Sequence, residues 1–139
     1  MARGRRIAFD YGDARIGVAI CDPDGILATP LPYLDARNPR VLKEVAALLD
    51  EYSPISIFIG LPKHLSGAEG EAVEKVRTFA ASLSEISQIP IAFVDERMST
   101  VGAQKKLHEA GKSVKESRSL IDSMAAVGIL ESGLLHEDR

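Results

Sequence analysis

Short apolar runs that stop at acids, glycines and prolines organise the first third of the chain. Ile7-Ala8-Phe9 ends at Asp10, turns through Tyr11-Gly12 and resumes after Arg15 as Ile16-Gly17-Val18-Ala19-Ile20, the pattern of a hairpin that carries a carboxylate at its open end. Asp22-Pro23-Asp24-Gly25 is turn chemistry, with proline presetting one backbone angle and glycine admitting a positive φ. A third strand is expected from Ile26 to Leu31. Asn38-Pro39 has the form of an N-cap followed by proline at the first helical position, and Val41, Val45, Leu48, Leu49 and Tyr52 recur at helical spacing, which predicts a helix over about 39–52.

Pro54 closes that segment, and the near-continuous apolar run Ile55 to Gly60 suits an interior strand covered on both faces. Gly60 to Gly67 is expected as a loop. Val73, Val76, Phe79, Ala80 and Leu83 then form one stripe of a helix over about 68–86. The strand Ile91 to Glu96 alternates, so Ile91, Phe93 and Asp95 share one face and Ala92, Val94 and Glu96 the other. Ser99 or Thr100 caps a short helix to about 109 that Gly111 can close, and Ser113 with Glu116 is a capping box opening a last helix to about 132. Three hairpin strands followed by alternating helices and strands predict an α/β fold in a single domain over residues 1–139. Its sheet is mixed and five-stranded, the first three strands antiparallel, with helices on its faces.

Composition narrows the classes. The chain has 139 residues, 45% of them hydrophobic and 27% charged, which is the ordinary globular range with no need for a second domain. The lone Cys21 has no partner for a disulfide or a cysteine zinc cluster, which fits a reduced, cytoplasmic protein. The basic opening Arg3-Gly4-Arg5-Arg6 precedes an apolar run too short for a secretory signal, and no run has transmembrane length. A net charge of −3 argues against coating nucleic acid through bulk charge. Locally, however, Arg97, Lys105, Lys106, Lys112, Lys115 and Arg118 stand against only Glu109 and Glu116. Such a segment is either a solvated helix surface or a face for a phosphate backbone.

The candidates for clustered acids are those at strand ends and on a helix crossing near them: Asp10, the pair Asp95 and Glu96, and Asp122. Asp122 stands in Leu120-Ile121-Asp122-Ser123-Met124-Ala125-Ala126-Val127, a segment otherwise small or apolar, where an acid is costly to bury unless paired or bound to metal. Three or four convergent oxygens suit Mg2+ or Mn2+, which keep positions free for water and substrate phosphates. Two such ions can clamp the attacking and leaving oxygens of a phosphodiester, with no covalent nucleophile. Taken singly, each acid is equally a turn former or ion-pair partner, Asp122 with Arg118 one turn earlier for example.

Taken together, Asp10-Tyr11-Gly12 with Arg15-Ile16-Gly17-Val18-Ala19, Gly60-Leu61-Pro62 with Gly67, Asp95-Glu96-Arg97-Met98-Ser99-Thr100, and Asp122 with Ala125-Ala126 and Ile129-Leu130 resemble the YqgF (RuvX-like) family. That family comprises bacterial proteins assigned as pre-16S rRNA nucleases, earlier described as Holliday-junction-resolvase-like, and the resemblance implies an RNase H-like fold. It also implies Asp10, Glu96 and Asp122 as catalytic acids holding a divalent metal, with Asp95 a competitor for the place of Glu96. Arg15 and Arg97 match family positions, where an arginine either holds phosphate or fixes the acids. Lys63, His64 and Arg118 are further candidates for contact with nucleic acid, His64 being equally a plain surface histidine. Two departures from the family pattern are Asp13, which either adds charge near the metals or completes the turn, and the thinned basic stretch Glu116-Ser117-Arg118-Ser119.

Four functions follow as expectations. The first is a metal-dependent nuclease in 5′-end processing of pre-16S rRNA. The second is the same chemistry on a four-way DNA junction, for which a homodimer would supply two cuts while a monomer would not. The third is a non-catalytic module docking on the assembling small ribosomal subunit. The fourth, an actin-like or sugar-kinase-like ATPase, is disfavoured because those proteins duplicate this unit and no GxxxxGK[ST] loop is present.

Overall fold

The computed structural model describes residues 3–62, 70–95 and 114–137, with side chains of the last stretch from Ser123 onward. Its elements are β1 (Arg6–Tyr11), β2 (Arg15–Cys21), β3 (Ala28–Asp35), α1 (Val41–Tyr52), β4 (Ser56–Leu61), α2 (Gly70–Ile86), β5 (Ile91–Asp95) and α3 (Val114–Glu137). The expected short helix after Ser99 lies outside the described residues.

The five strands form one mixed sheet in the order β3-β2-β1-β4-β5. β1 pairs antiparallel with β2 and parallel with β4, β2 antiparallel with β3, and β4 parallel with β5. The predicted architecture therefore holds. The two faces follow from strand alternation. Ile7, Phe9, Ile16, Val18, Ile20, Ile57 and Ile59 pack under α1 and α2 through Val45, Leu49, Val76, Phe79 and Leu83. Ala8, Ala19, Cys21 and Phe58 pack under α3 through Met124, Ala126, Val127, Ile129 and Leu130. Each large aliphatic or aromatic side chain fully buried this way contributes about 1.5–3 kcal/mol.

α3 spans the sheet and touches all five strands. Small side chains on its strand face, Ala8 and Ala19, let it come close, and on the helix Gly133 does the same: a Cβ there would lie 2.6 Å from the Phe58 ring. At its C-terminal end α3 is tied to the start of the sheet by Arg6, whose side chain is 0% exposed. The Arg6 guanidinium pairs with the Glu137 carboxylate and donates to the Gly4 carbonyl at 2.5 Å.

Three boundaries differ from the sequence pattern. β3 runs from Ala28 to Asp35 rather than Ile26 to Leu31, because the Asp22 carboxylate accepts from the amides of Ile26 and Leu27 at 2.8 Å each and holds them in the turn. Pro30 and Pro32 are tolerated because β3 is an edge strand. α1 begins at Val41 after Arg40, with no side-chain cap on Arg40. Asn38 instead closes the preceding turn, its carboxamide accepting from Arg40 N at 2.9 Å and donating to Glu44 at 2.6 Å. α3 continues to Glu137, beyond 132, through the Arg6 pair.

Candidate metal and nucleic-acid site

Asp10 is the next-to-last residue of β1, half-buried, and its Cα partner on β2 is Gly17. It has the strand parity of Ala8, so it faces the α3 side. Gly17 leaves no side chain next to it on β2. None of the described side chains hydrogen-bonds or ion-pairs with the Asp10 carboxylate. A half-buried carboxylate without such a partner, set on a face of alanines and glycine, suits a hard cation with its waters.

Beyond Gly12 the hairpin closes tightly. Gly12 N donates to Arg15 O at 3.0 Å, and a Cβ on Gly12 would lie 2.8 Å from that oxygen, so the turn beside Asp10 requires glycine. Arg15 is exposed and has the parity of Gly17 and Ala19, hence the Asp10 face; its guanidinium lies 5.2 Å from the centroid of the Tyr33 ring on β3. Sequence reasoning did not single out Tyr33, since the pairing of β3 with β2 is what brings it to Arg15. Asp13 goes elsewhere. Its carboxylate binds Lys75 of α2 at 2.9 Å, and Lys75 also reaches Glu71 at 3.3 Å. Asp13, with Glu71 second, raises the Lys75 pKa, and the turn tip is thereby tied to the α2 side of the sheet.

The parallel strands align a second acid. Phe9 pairs with Ile59 and Ile59 with Phe93, so Asp10 is level with Gly60 and Val94, and Asp95 pairs with Leu61 one residue further on. Val94 packs with the α3 cluster, whereas Ile91, which shares the parity of Asp95, packs with the α1/α2 cluster. Asp95 thus stands on the face opposite Asp10. Glu96, Arg97 and Lys63 lie outside the described residues. Asp122 and Arg118 lie in α3 without described side chains, Asp122 one residue before Ser123.

Ser123 is fully buried. Its hydroxyl accepts from Val18 N at 3.1 Å and donates to Leu31 O at 2.5 Å. Val18 follows Gly17, the partner of Asp10, so this contact brings the backbone beside Asp122 to the strand position beside Asp10. Among the described residues no three His, Cys, Asp or Glu converge into a metal cluster. A cavity of about 350 Å³ lies on the other side of the sheet, between Tyr11, Ile16, Val41 and Phe79 with Glu71 and Lys75 at its rim, and so is separate from the Asp10 face. No helix among the described residues is long and apolar enough to cross a membrane.

Known proteins share this sequence and fold. The chain is 50% identical over 139 residues to a Streptomyces avermitilis protein named "Putative pre-16S rRNA nuclease", covering 99% of this chain and 89% of that one. A Mycobacterium protein of the same name is 42% identical over 135 residues, covering 95% of this chain and 80% of the relative. Among solved structures, Thermus thermophilus RuvC in complex with a Holliday junction substrate superposes with a TM-score of 0.67 at 12% identity, over 97% of this chain and 95% of RuvC. The free Thermus thermophilus RuvC gives 0.60 over 96% and 95%. At that identity the likeness establishes the fold, which is the RNase H-like one expected. The family model described as "RuvX: Holliday junction resolvase" matches residues 4–136, and the chain therefore belongs to the RuvX family.

Proposed function

We propose that the protein is a divalent-metal-dependent nuclease that hydrolyses phosphodiester bonds in 5′-end processing of pre-16S rRNA, in the cytoplasm, where ribosomes are assembled. The observation that carries the proposal is Asp10: a half-buried carboxylate at the C-terminal end of a central strand, without a partner among the described side chains, in a chain half identical to a protein bearing that nuclease name. Asp10, Glu96 and Asp122 are the ligands of Mg2+ or Mn2+. The described strand puts Asp95 on the face opposite Asp10, and the sequence alternation pairs Glu96 with Val94 instead, which supports Glu96 over Asp95.

Bound metal supplies a polarised water and stabilises charge on the leaving oxygen. The chain's own groups do the rest. Arg15, exposed on the Asp10 face, orients a substrate phosphate by bidentate hydrogen bonds while Tyr33 steadies its guanidinium. Arg97, Lys63 and Arg118 extend that contact along the nucleic acid. Ala8, Ala19 and the α3 cluster limit water beneath the Asp10 carboxylate, which strengthens every electrostatic contact there.

A four-way DNA junction is the second substrate, favoured by the description of the matching family model. Cleavage of a pre-16S rRNA 5′ leader and of a four-way junction, assayed side by side with Mg2+ and with Mn2+, separates the two. The proposal expects metal-dependent cutting of the RNA that Asp10→Asn abolishes while the fold persists. Unchanged cutting by Asp10→Asn rejects the site, and cutting of the junction alone, by a homodimer, transfers the function to DNA. Retained ribosomal-subunit binding and in vivo complementation by an Asp10→Asn, Glu96→Gln double variant would make the protein a docking module instead.

A further inference from the structure

The apolar contacts under α3 are not directional, so hydrogen bonds and ion pairs supply the directional part of its placement. Its directional ties to the sheet include the Arg6–Glu137 pair at its C-terminal end and the Ser123 hydroxyl about midway along it. The second tie has an unusual form. Val18 and Leu31 are Cα partners across β2 and β3, and the register slips between Ile16 and Val18 on β2. There the Ser123 oxygen enters the ladder, taking the Val18 amide proton and giving its own to the Leu31 carbonyl. A hydroxyl has one proton and two lone pairs, so this contact uses the donor and one acceptor in defined directions.

We infer that Ser123 is a positioning residue for the metal site: by locking α3 into the β2–β3 ladder it sets the place of Asp122 relative to Asp10. The inference rests on the reading of Asp10 and Asp122 as metal ligands. Its geometric basis is the chain of neighbours from Asp122 to Ser123, from Ser123 to Val18, and from Gly17 beside Val18 to its partner Asp10. Metal ligands must be held to within about 0.5 Å of the productive geometry by supporting hydrogen bonds, and the Ser123 contact is such a bond one residue from Asp122. A serine whose purpose was packing alone would be replaceable by alanine at this fully buried position, with the two strands closing directly on each other.

The test is Mn2+ binding to the protein without nucleic acid, followed by electron paramagnetic resonance, for the wild type, Ser123→Ala, Ser123→Thr, Asp10→Asn and Val73→Ala. Val73 is a buried residue of α2, the helix whose Val76, Phe79 and Leu83 cover the other side of the sheet, and serves as a destabilised control. Ser123→Ala is expected to weaken Mn2+ binding about tenfold, as loss of a supporting hydrogen bond does at metal sites, with Ser123→Thr recovering much of it. Val73→Ala is expected to bind as the wild type does despite its lower melting temperature. Ser123→Ala binding Mn2+ like the wild type, or no more weakly than Val73→Ala, overturns the inference. If Ser123→Ala does not fold, Ser123→Cys, a weaker hydrogen-bonding group, is read by the same criteria. Wild-type binding by Asp10→Asn would instead overturn the metal site itself.

Discussion

Asp10 and Gly17 face each other as Cα partners across the β1–β2 ladder, so the carboxylate has an open place on its flank where any other residue would project a side chain. Its neighbour two residues back, Ala8, is fully buried under α3. The strand therefore passes from dry core to a half-buried acid within two residues, and the parallel neighbours β4 and β5 end at the same level.

That geometry sets Asp95 apart from Asp10. Asp95 shares the parity of Ile91, on the α1/α2 side, so Asp95→Asn should retain cleavage within about threefold, while Glu96→Gln should lose at least a hundredfold, about 2.7 kcal/mol of transition-state stabilisation. Single-turnover cleavage at saturating Mn2+ measures both. The reverse ranking would move the metal to the other side of the sheet.

Much of this was legible beforehand, because strand alternation and helical spacing report burial directly: Asp10 at the end of an apolar run and the stripe from Val73 to Leu83 are where the pattern put them. What was not legible depends on partners distant in sequence. Ile26 and Leu27 have the apolar look of a strand, yet they are 83% and 66% exposed, held out by the Asp22 carboxylate. The role of Asp13 is set by Lys75, and that of Ser123 by a slip in the β2–β3 register, neither of which periodicity encodes. The parity of Asp95 and Glu96 was readable, but not which face carried α3.

Gly133 is a second test of how closely α3 lies on the sheet. Alanine there would ordinarily favour a helix by about 1 kcal/mol, but its Cβ would come within 2.6 to 2.8 Å of the buried Phe58 ring. Overpacking should win, and Gly133→Ala should lose about 1–3 kcal/mol in urea unfolding. Phe58→Leu in the same chain should recover part of that loss. Stabilisation by Gly133→Ala alone would mean that the helix rides higher.

The Arg6–Glu137 pair should behave as a buried one. Glu137→Ala removes the carboxylate while the guanidinium stays 0% exposed, and about 3 kcal/mol of stability should go with it. Because the pair is desolvated on the arginine side, 1 M NaCl should change the wild-type value little. A loss under about 0.5 kcal/mol would assign the pair to the surface class.

Asp22 gives the pH dependence. Its pKa lies below the ordinary aspartate value because the Leu27 amide, and then the Ile26 amide, bond its ionised form. A depressed folded pKa contributes stability that is present above the unfolded value of about 3.9 and is lost as pH falls through the lower folded value. The melting temperature of Asp22→Ala should thus trail the wild type by a constant margin above about pH 5 and converge with it below about pH 4. A margin unchanged at pH 3 would show that the turn does not depend on the charge.

α3 is the last described element of the chain, and it touches every strand of the sheet. Asp10 is made early in synthesis and Asp122 late, so a chain still being translated carries half of the proposed centre without the other. If Asp10 and Asp122 are the ligands proposed, a chain whose α3 has not yet docked lacks the centre, and metal binding should follow the docking of that helix.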